Sequence, residues 1–233
     1  MNEILLAASL AVIYGGVLLC YRLFGKGGLF AFTPIAVILA NIEVLILVDA
    51  FGMEQTLGNL LFASTYLITD ILSENEGKKE ANKAVYIGIF TSVAMVVVTQ
   101  SWLLYVPSAN DWASPSIATL FAVTPRLLAA SFIGMVVSQK LDVFLYHKWW
   151  ALTEKICGDK KRFLWLRNNG STLVSQLVNT VLFNFIAFFG IYSAPTLISV
   201  MVAGYIIYVI TSLLDTPVVY LARRLKEKGV IPQ

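Results

Sequence analysis

One apolar stretch of the sequence carries side chains that could do chemistry inside a membrane. The stretch Arg126–Tyr146 is long enough to cross a bilayer, yet it contains Gln139, Lys140 and Asp142. A charged side chain in hydrocarbon costs about 2.5–3.5 kcal/mol, so charges in a spanning helix normally face a protein interior or a wet cavity. We therefore interpret this helix as one wall of a solute cavity.

The spacing of its polar residues places several of them on one helix face. That face consists of Ser131, Met135, Ser138 and Asp142, with Gln139 beside it. One interpretation is that Ser138, Gln139 and Asp142 point into a solute site. The alternative is that these groups only join helices by hydrogen bonds, as polar residues in membrane bundles often do.

Two carboxylates stand one helical turn apart in the string TDILSENEG. Asp70 and Glu74 would share a helix face, where they could compete for one proton or accept from one cation. The alternative is a solvated helix end whose charge is balanced by Lys78 and Lys79.

A stripe of uncharged polar groups follows in the string RNNGSTLVSQLVNT. Ser171, Ser175 and Asn179 are spaced by four residues, and Gln176 is adjacent to them. Donors and acceptors without charge suit a neutral polar solute, and helix-to-helix hydrogen bonding is again the alternative.

The last apolar segment combines aromatic rings with a carboxylate. Its face consists of Tyr205, Tyr208, Ser212 and Asp215. Stacking of a base on an aromatic ring is worth about 1–3 kcal/mol, and a carboxylate can accept from the ring N–H and exocyclic amine of a guanine-like edge. The pattern favours a pocket for a flat heterocycle, although tyrosines near a membrane end are also ordinary anchors.

Composition indicates a polytopic membrane protein. Of 233 residues, 58% are hydrophobic and 13% are charged, whereas soluble domains carry about 25% charged residues. We expect a single transmembrane domain over residues 1–233.

With His147 as the only histidine, the sequence predicts neither a metal site nor a Ser-His-Asp triad, and we expect no cofactor and no enzyme activity. The basic loops lack base-reading motifs, so we expect a lipid bilayer and no nucleic acid as partner.

The elements that position these residues are predicted to be about seven helical segments in an all-α bundle. Their approximate bounds are Ile4–Phe24, Leu29–Phe51, Leu57–Leu72, Ala84–Val106, Ile117–Tyr146, Thr172–Tyr192 and Thr196–Leu221. The third is short and polar, which suggests a broken or re-entrant element. Pro125 either kinks the fifth segment or marks its start, and Pro217 should break the seventh.

Charge in the loops predicts the orientation. Lysine and arginine occur in alternate loops, including 148–167 and the C-terminal tail, and are missing from GMEQT, PSANDWASPS and IYSA. By the positive-inside rule, the N-terminus lies outside and the C-terminus in the cytoplasm.

Four strings together resemble one known family. TDILSENEGKKEA, RLLAASFIGMVVSQKLDV, LWLRNNGSTLVSQLVNT and LLDTPVVYLARR are similar to the queuosine precursor transporter family, also called the YhhQ or VUT family. The resemblance covers roughly residues 35–224. It implies uptake of a 7-deazaguanine, either queuine or a cyano- or aminomethyl-substituted precursor, across the prokaryotic inner membrane for tRNA modification. It also implies a six-helix core, to which this chain adds an N-terminal helix.

The resemblance also implies which residues form the site. Substrate-binding positions would be Asp70, Gln139, Asp142, Ser175, Gln176, Asn179 and Asp215, and positions with a structural or coupling role would be Glu74 and Arg126. The aromatic face of the last segment adds Tyr208 to the substrate-binding residues. One carboxylate, Asp142 or Asp215, would hold the guanidine-like edge, and Arg126 could neutralise a buried carboxylate and fix the helices. The chain departs from the family at one of these positions, since many relatives look acidic where this chain has Asn179. Asn179 therefore argues either against a proton-coupling role for the site or for a preference for a differently substituted base.

The sequence leaves two further questions open. The family is distantly similar to the solute-binding subunits of energy-coupling-factor vitamin transporters, so a binding subunit is the alternative to a self-sufficient transporter. Small residues at Ala129, Ala130 and Gly134 would permit close helix contact, and a homodimer is an expectation that follows from them.

Overall fold

The protein is a bundle of helices with one small β-hairpin, seen in a computed structural model that describes residues 1–122, 125–159 and 161–232. The elements are α1 (Asn2–Glu43), β1 (Leu47–Ala50), β2 (Met53–Thr56), α2 (Gly58–Asn75), α3 (Lys78–Trp102), α4 (Ser114–Phe121), α5 (Pro125–Cys157), α6 (Leu164–Phe188) and α7 (Ala194–Glu227). Within the described residues, five helical stretches are long and apolar enough to cross a membrane. These are Asn2–Glu43, Lys78–Trp102, Ala129–Cys157, Leu164–Phe188 and Ala194–Glu227. The prediction of a bundle of membrane-spanning helices is confirmed, without the exact number of crossings.

Helix α1 consists of two limbs that fold against each other at Gly25. The backbone there has φ 58° and ψ −147°, a conformation open to glycine, and a Cβ would meet the backbone oxygen of Pro232. A Cβ on Gly16 would lie 3.5 Å from the Phe32 ring, so residues of the first limb pack on residues of the second. The first two predicted segments correspond to these two limbs.

The end of the second predicted segment is wrong, because the helix stops at Glu43 and the chain turns into a hairpin. Leu47–Ala50 pairs antiparallel with Met53–Thr56, and the turn has positive φ at Phe51 and Gly52. The Asn2 side chain donates to the carbonyl of Asp49 at 2.8 Å, which ties the hairpin to the start of α1. The fold is therefore all-α except for this hairpin.

Helix α2 is the centre of the bundle. It is one continuous helix of 18 residues, about 27 Å long, and not a broken one. Every residue from Ala63 to Ser73 is buried, and α2 packs against α1, α3, α5 and α7. A helix buried on all sides can hold polar groups only if hydrogen bonds within the protein satisfy them.

The other helices differ from the sequence prediction mainly at their ends. The predicted fifth segment is two helices, since α4 stops at Phe121 and α5 starts at Pro125, one of the two outcomes foreseen for that proline. Helix α6 begins at Leu164, a full two turns before the predicted Thr172. Pro217 does not break α7, which continues to Glu227.

Candidate functional site

Three carboxyl groups converge in the interior of the bundle. Asp70 from α2, Asp142 from α5 and Asp215 from α7 are 0%, 0% and 1% exposed. They are close enough to interact electrostatically with one another. Among the ion pairs of the described residues, none includes any of the three. Burial of a charge without a counter-charge is costly, so this cluster must be stabilised by donors or by a bound proton or ligand.

Helix α6 supplies the hydrogen-bond donors to these carboxyl groups. The Thr172 hydroxyl lies 3.1 Å from Asp70 Oδ2 and 3.2 Å from Asp142 Oδ1. The Ser175 hydroxyl lies 3.0 Å from the same Asp142 oxygen, and Asn168 Nδ2 donates to Asp215 Oδ1 at 2.7 Å. One face of α6 therefore joins α2, α5 and α7 through polar contacts.

Several acceptor atoms in this region have no hydrogen-bond partner among the described residues. They are Asp70 Oδ1, Asp142 Oδ2, Asn168 Oδ1 and Gln176 Oε1. Buried acceptors are normally satisfied. An excess of unpartnered acceptors is complementary to a ligand rich in N–H donors.

A second layer of contacts lies beside the carboxyl groups and uses other predicted residues. Gln139 Nε2 donates to Thr65 Oγ1 at 2.6 Å, and Tyr66 donates to Ser138 Oγ at 2.6 Å. These bonds connect α5 to α2. The observed contacts of Gln139 and Ser138 are therefore hydrogen bonds that join helices, as the alternative interpretation had it.

Aromatic side chains lie close to this second layer. Tyr208 donates to Asn59 Oδ1 at 3.0 Å. The Phe62 ring centroid lies 5.5 Å from that of Tyr66 and 6.2 Å from that of Tyr208. Tyr205, in contrast, is only partly buried and donates to the carbonyl of Leu173. Three rings from α2 and α7 thus form an aromatic cluster near the carboxyl groups.

Asn179 is buried at the contact between α5 and α6. A Cβ on Gly134 would lie 2.8 Å from Asn179 Oδ1, so the glycine lets the two helices approach. Gly134 and Ala130 are buried inside the protomer. The small residues that suggested a homodimer are therefore used, at these two positions, within the chain.

Glu74 belongs to a separate ion network toward the C-terminal ends of α2, α5 and α7. Arg167 holds it with two hydrogen bonds, of 2.6 Å and 2.8 Å, and Arg223 lies 3.2 Å away. Tyr146 donates to Glu74 Oε2 at 2.7 Å, and the Arg167 guanidinium lies 4.4 Å from the centroid of the Trp150 ring. The alternative for Glu74, a solvated helix end balanced by Lys78 and Lys79, does not hold, because arginines bind this carboxylate inside the protein. The assignment of Arg167 to a loop is wrong, since it lies in α6.

Arg126 lies at the other end of α6. Its side chain is exposed and donates to the carbonyl oxygens of Ile186 and Phe189, where α6 ends. It has no ion pair with a carboxylate in the part of the chain that the structure describes. The expected neutralisation of a buried carboxylate is wrong, whereas a helix-fixing contact is present.

Sequence reasoning missed Thr172, Asn168 and Arg167. A stripe at 172, 175 and 179 fits helical spacing as well as the stripe at 171, 175 and 179. The early start of α6 places Arg167 and Asn168 inside the bundle, and the RNN string preceding the apolar run was the signal for it.

The fold and the site define a multi-pass membrane protein with a polar interior shielded from solvent, the class that includes solute transporters. Residues 56–222 match the family described as "Putative vitamin uptake transporter", and the chain belongs to this family. The chain is 38% identical to a protein of Bacillus subtilis (strain 168) named "Probable queuosine precursor transporter", over 90% of this chain and 89% of that protein. It is 26% identical to the "Queuosine precursor transporter" of Escherichia coli (strain K12), over 64% and 62% of the two chains.

No solved structure matches the chain. The family membership confirms the resemblance seen in the sequence motifs, and with it the prediction of a membrane transporter and not an enzyme.

Proposed function

We propose that this chain imports a queuosine precursor, a 7-deazaguanine base, across the prokaryotic inner membrane as a single transporter domain over residues 1–233. The observation that carries the proposal is the convergence of Asp70, Asp142 and Asp215, which have no cationic partner among the residues that the structure describes. A guanine-like base presents adjacent N–H donors on its ring and its exocyclic amine, which match the unpartnered acceptors of the site. The names of the two relatives support the same substrate.

We assign the guanidine-like edge of the base to Asp215 or Asp142. A carboxylate that accepts from two adjacent N–H groups forms the stronger, charge-assisted kind of hydrogen bond. Gln176 is buried with an unpartnered side-chain oxygen and would accept from a further donor of the base. The aromatic cluster of Phe62, Tyr66 and Tyr208 would stack on the ring.

The base must reach this site through a conformational change. The three carboxyl groups are at most 1% exposed, so neither side of the membrane has open access to them. The network of Glu74, Arg167 and Arg223 joins α2, α6 and α7 on the C-terminal side of α2. Release of the base in this direction therefore requires that these helices separate, as in alternating access.

Uptake of a labelled base tests the proposal directly. We expect cells that lack their own synthesis and uptake of queuosine precursors to accumulate labelled 7-deazaguanines when they express this chain, and to regain queuosine in tRNA. The empty vector and labelled adenine serve as controls. Accumulation no greater than with the vector, with the protein present in the membrane, would refute the proposed function.

The binding-subunit alternative is not favoured, since the family and the relatives are described as transporters. Purified chain in liposomes separates the two cases, because a binding subunit would capture the base without moving it.

The topology that we propose has seven crossings, with the N-terminus outside. The crossings are the two limbs of α1 and the helices α2, α3, α5, α6 and α7, and α2 would span nearly the whole hydrocarbon core of about 30 Å. The basic residues near Gly25, at the start of α3, between α5 and α6 and at the end of α7 then all face the cytoplasm.

Cysteine labelling checks this orientation. In a Cys20→Ser background, Cys157 should react with a membrane-impermeant maleimide only after the cells are permeabilised, because it lies at the cytoplasmic end of α5. A cysteine placed at the exposed Ser108, in a chain without the native cysteines, should react in intact spheroplasts. The opposite pattern would invert the topology.

A homodimer stays a prediction. Ala129 is exposed and available for a contact, but Ala130 and Gly134 are not. The mass of the purified protein in detergent would test it.

A further inference from the structure

The Thr172 hydroxyl is shared by two carboxyl groups that it cannot serve at once. It lies 3.1 Å from Asp70 Oδ2 and 3.2 Å from Asp142 Oδ1. A hydroxyl has one proton and can therefore donate to only one of them. If both groups were carboxylates, one would face the threonine oxygen with no proton between them.

One additional proton on the pair removes this conflict. The two carboxyl groups are close neighbours, because each has an oxygen within 3.2 Å of the same hydroxyl oxygen. Asp70 Oδ1 and Asp142 Oδ2, the oxygens that do not contact Thr172, are buried and have no hydrogen-bond partner among the described residues. Two carboxylates that share a site commonly hold one proton between them, and that proton then belongs to the pair.

The donors around the pair indicate which group carries the proton. Asp142 has Ser175 as a second hydroxyl within 3.0 Å, whereas among the described residues the hydroxyl that contacts Asp70 is that of Thr172. Hydrogen bonds to a carboxylate favour its charged form. Asp142 is thus the better anion, and Asp70 the proton carrier.

In the part of the chain that the structure describes, no cation of the surrounding helices competes with the proton. The titratable groups that face the pair are Tyr14 from α1, Tyr66 from α2, Tyr146 from α5 and Asp215 from α7. All are neutral or acidic, so they cannot replace a proton as the positive charge.

The basic residues of the neighbouring helices are engaged elsewhere or lie near helix ends. Lys140 of α5 is exposed and lies over the Tyr86 ring, and Arg167, the one charged residue of α6, holds Glu74. The charged residues of α3 are all within its first two turns, and those of α7 other than Asp215 follow Tyr220.

We propose that the Asp70–Asp142 pair, bridged by Thr172, binds one proton and couples import of the base to the proton gradient. This rests on the proposed function. The pair joins α2, α5 and α6, so a movement of α6 changes how Thr172 is shared and with it the affinity for the proton. The proton is taken up from the outside, travels with the substrate and is released to the cytoplasm, and no other bond is formed or broken.

Proteoliposomes that contain the full chain and a trapped pH indicator test this coupling. With 7-deazaguanine added outside, in sodium-free buffer without a starting pH gradient, we expect the lumen to acidify as the labelled base enters. An imposed pH gradient, acidic outside, should drive the base above its outside concentration. Uptake that needs a sodium gradient, or entry of the base with no acidification, would overturn the coupling and leave the proposed function standing. If the base neither binds nor enters, both the coupling and the proposed import function are overturned. Binding of the base without entry would also overturn both.

Two substitutions at Thr172 assign the coupling to this pair. Thr172→Val keeps the shape of the side chain and removes the shared hydroxyl, which favours the protonated pair. The alkaline limb of the pH profile of uptake should move up by about one pH unit, whereas Thr172→Ser should keep the profile. A purely structural role would lower uptake at every pH without moving the profile. Equal profiles for Thr172→Val and the unmodified chain would therefore exclude the pair as the proton site.

Discussion

Replacement of Glu74 by glutamine should lower the thermal stability of the protein more than the loss of any exposed carboxylate. The Glu74 side chain is 2% exposed and the Arg167 side chain 0%, and two hydrogen bonds join them. Loss of one partner of a buried ion pair costs about 3–5 kcal/mol, because the remaining charge stays buried without compensation. Here the substitution leaves Arg167 without its carboxylate and also removes the charge that Arg223 faces.

The matched control is Glu80→Gln. Glu80 is 21% exposed and lies 3.9 Å from Lys26, and surface pairs of this kind contribute about 0–1 kcal/mol. The apparent melting temperature of the purified protein in detergent should fall by several degrees for Glu74→Gln and barely change for Glu80→Gln. A combined Glu74→Gln and Arg167→Gln variant should be more stable than the sum of the single effects predicts. Equal melting temperatures for the two single variants would show that the network does not hold the helices together.

The network also shows a limit of sequence reasoning. Counting basic residues per loop predicts an orientation, but it treats Arg167 in the same way as the exposed lysines near it. Whether an arginine is solvated or buried depends on a partner about 90 positions away, in this case Glu74. The local sequence pattern carries no information on such a pairing. Glu74 and Arg167 do, however, each lie in one of the four strings that resemble the family.

The hairpin marks a second limit. Apolar residues continue from the second limb of α1 through Leu47 and Val48, so hydropathy alone extends the helix to Phe51. A short apolar run is compatible with a helix or a strand. The turn at Gly52 was the one local signal for a hairpin, and its positive φ is a conformation that glycine adopts readily.

The burial of these polar residues was the part that spacing predicted well. Asp70, Asp142, Ser175 and Asp215 were all selected as polar residues on apolar helices, and all are buried. The reason is physical: hydrocarbon penalises such residues strongly, so their presence in a spanning helix already implies an interior position. Which of them touch each other depends on helix rotation and neighbours, and this is why the bridging role of Thr172 was not foreseen.

The loss of uptake should be largest when the carboxylates of this site become amides. In Asp215→Asn, an amide replaces a buried carboxylate that also accepts from Asn168 at 2.7 Å. Hydrogen bonds to a charged group contribute about 1.5–3 kcal/mol each, so loss of the charge should raise the half-saturating concentration of the base by about ten-fold or more. Asp142→Asn should lose at least as much, because the same group also belongs to the proposed proton pair.

Transport of labelled base at a series of concentrations separates these effects from loss of protein. Asp49→Asn is the control, because Asp49 lies exposed on β1, and its uptake should equal that of the unmodified chain. Each variant is compared at equal amounts in the membrane and with an unchanged melting profile. Asp215→Glu keeps the charge with one more methylene, and it should retain more affinity than Asp215→Asn if charge is what the base requires. Unchanged half-saturation in both Asp142→Asn and Asp215→Asn would remove these residues from the binding site, because a carboxylate that holds the donor edge of the base cannot be neutralised without weakening that contact.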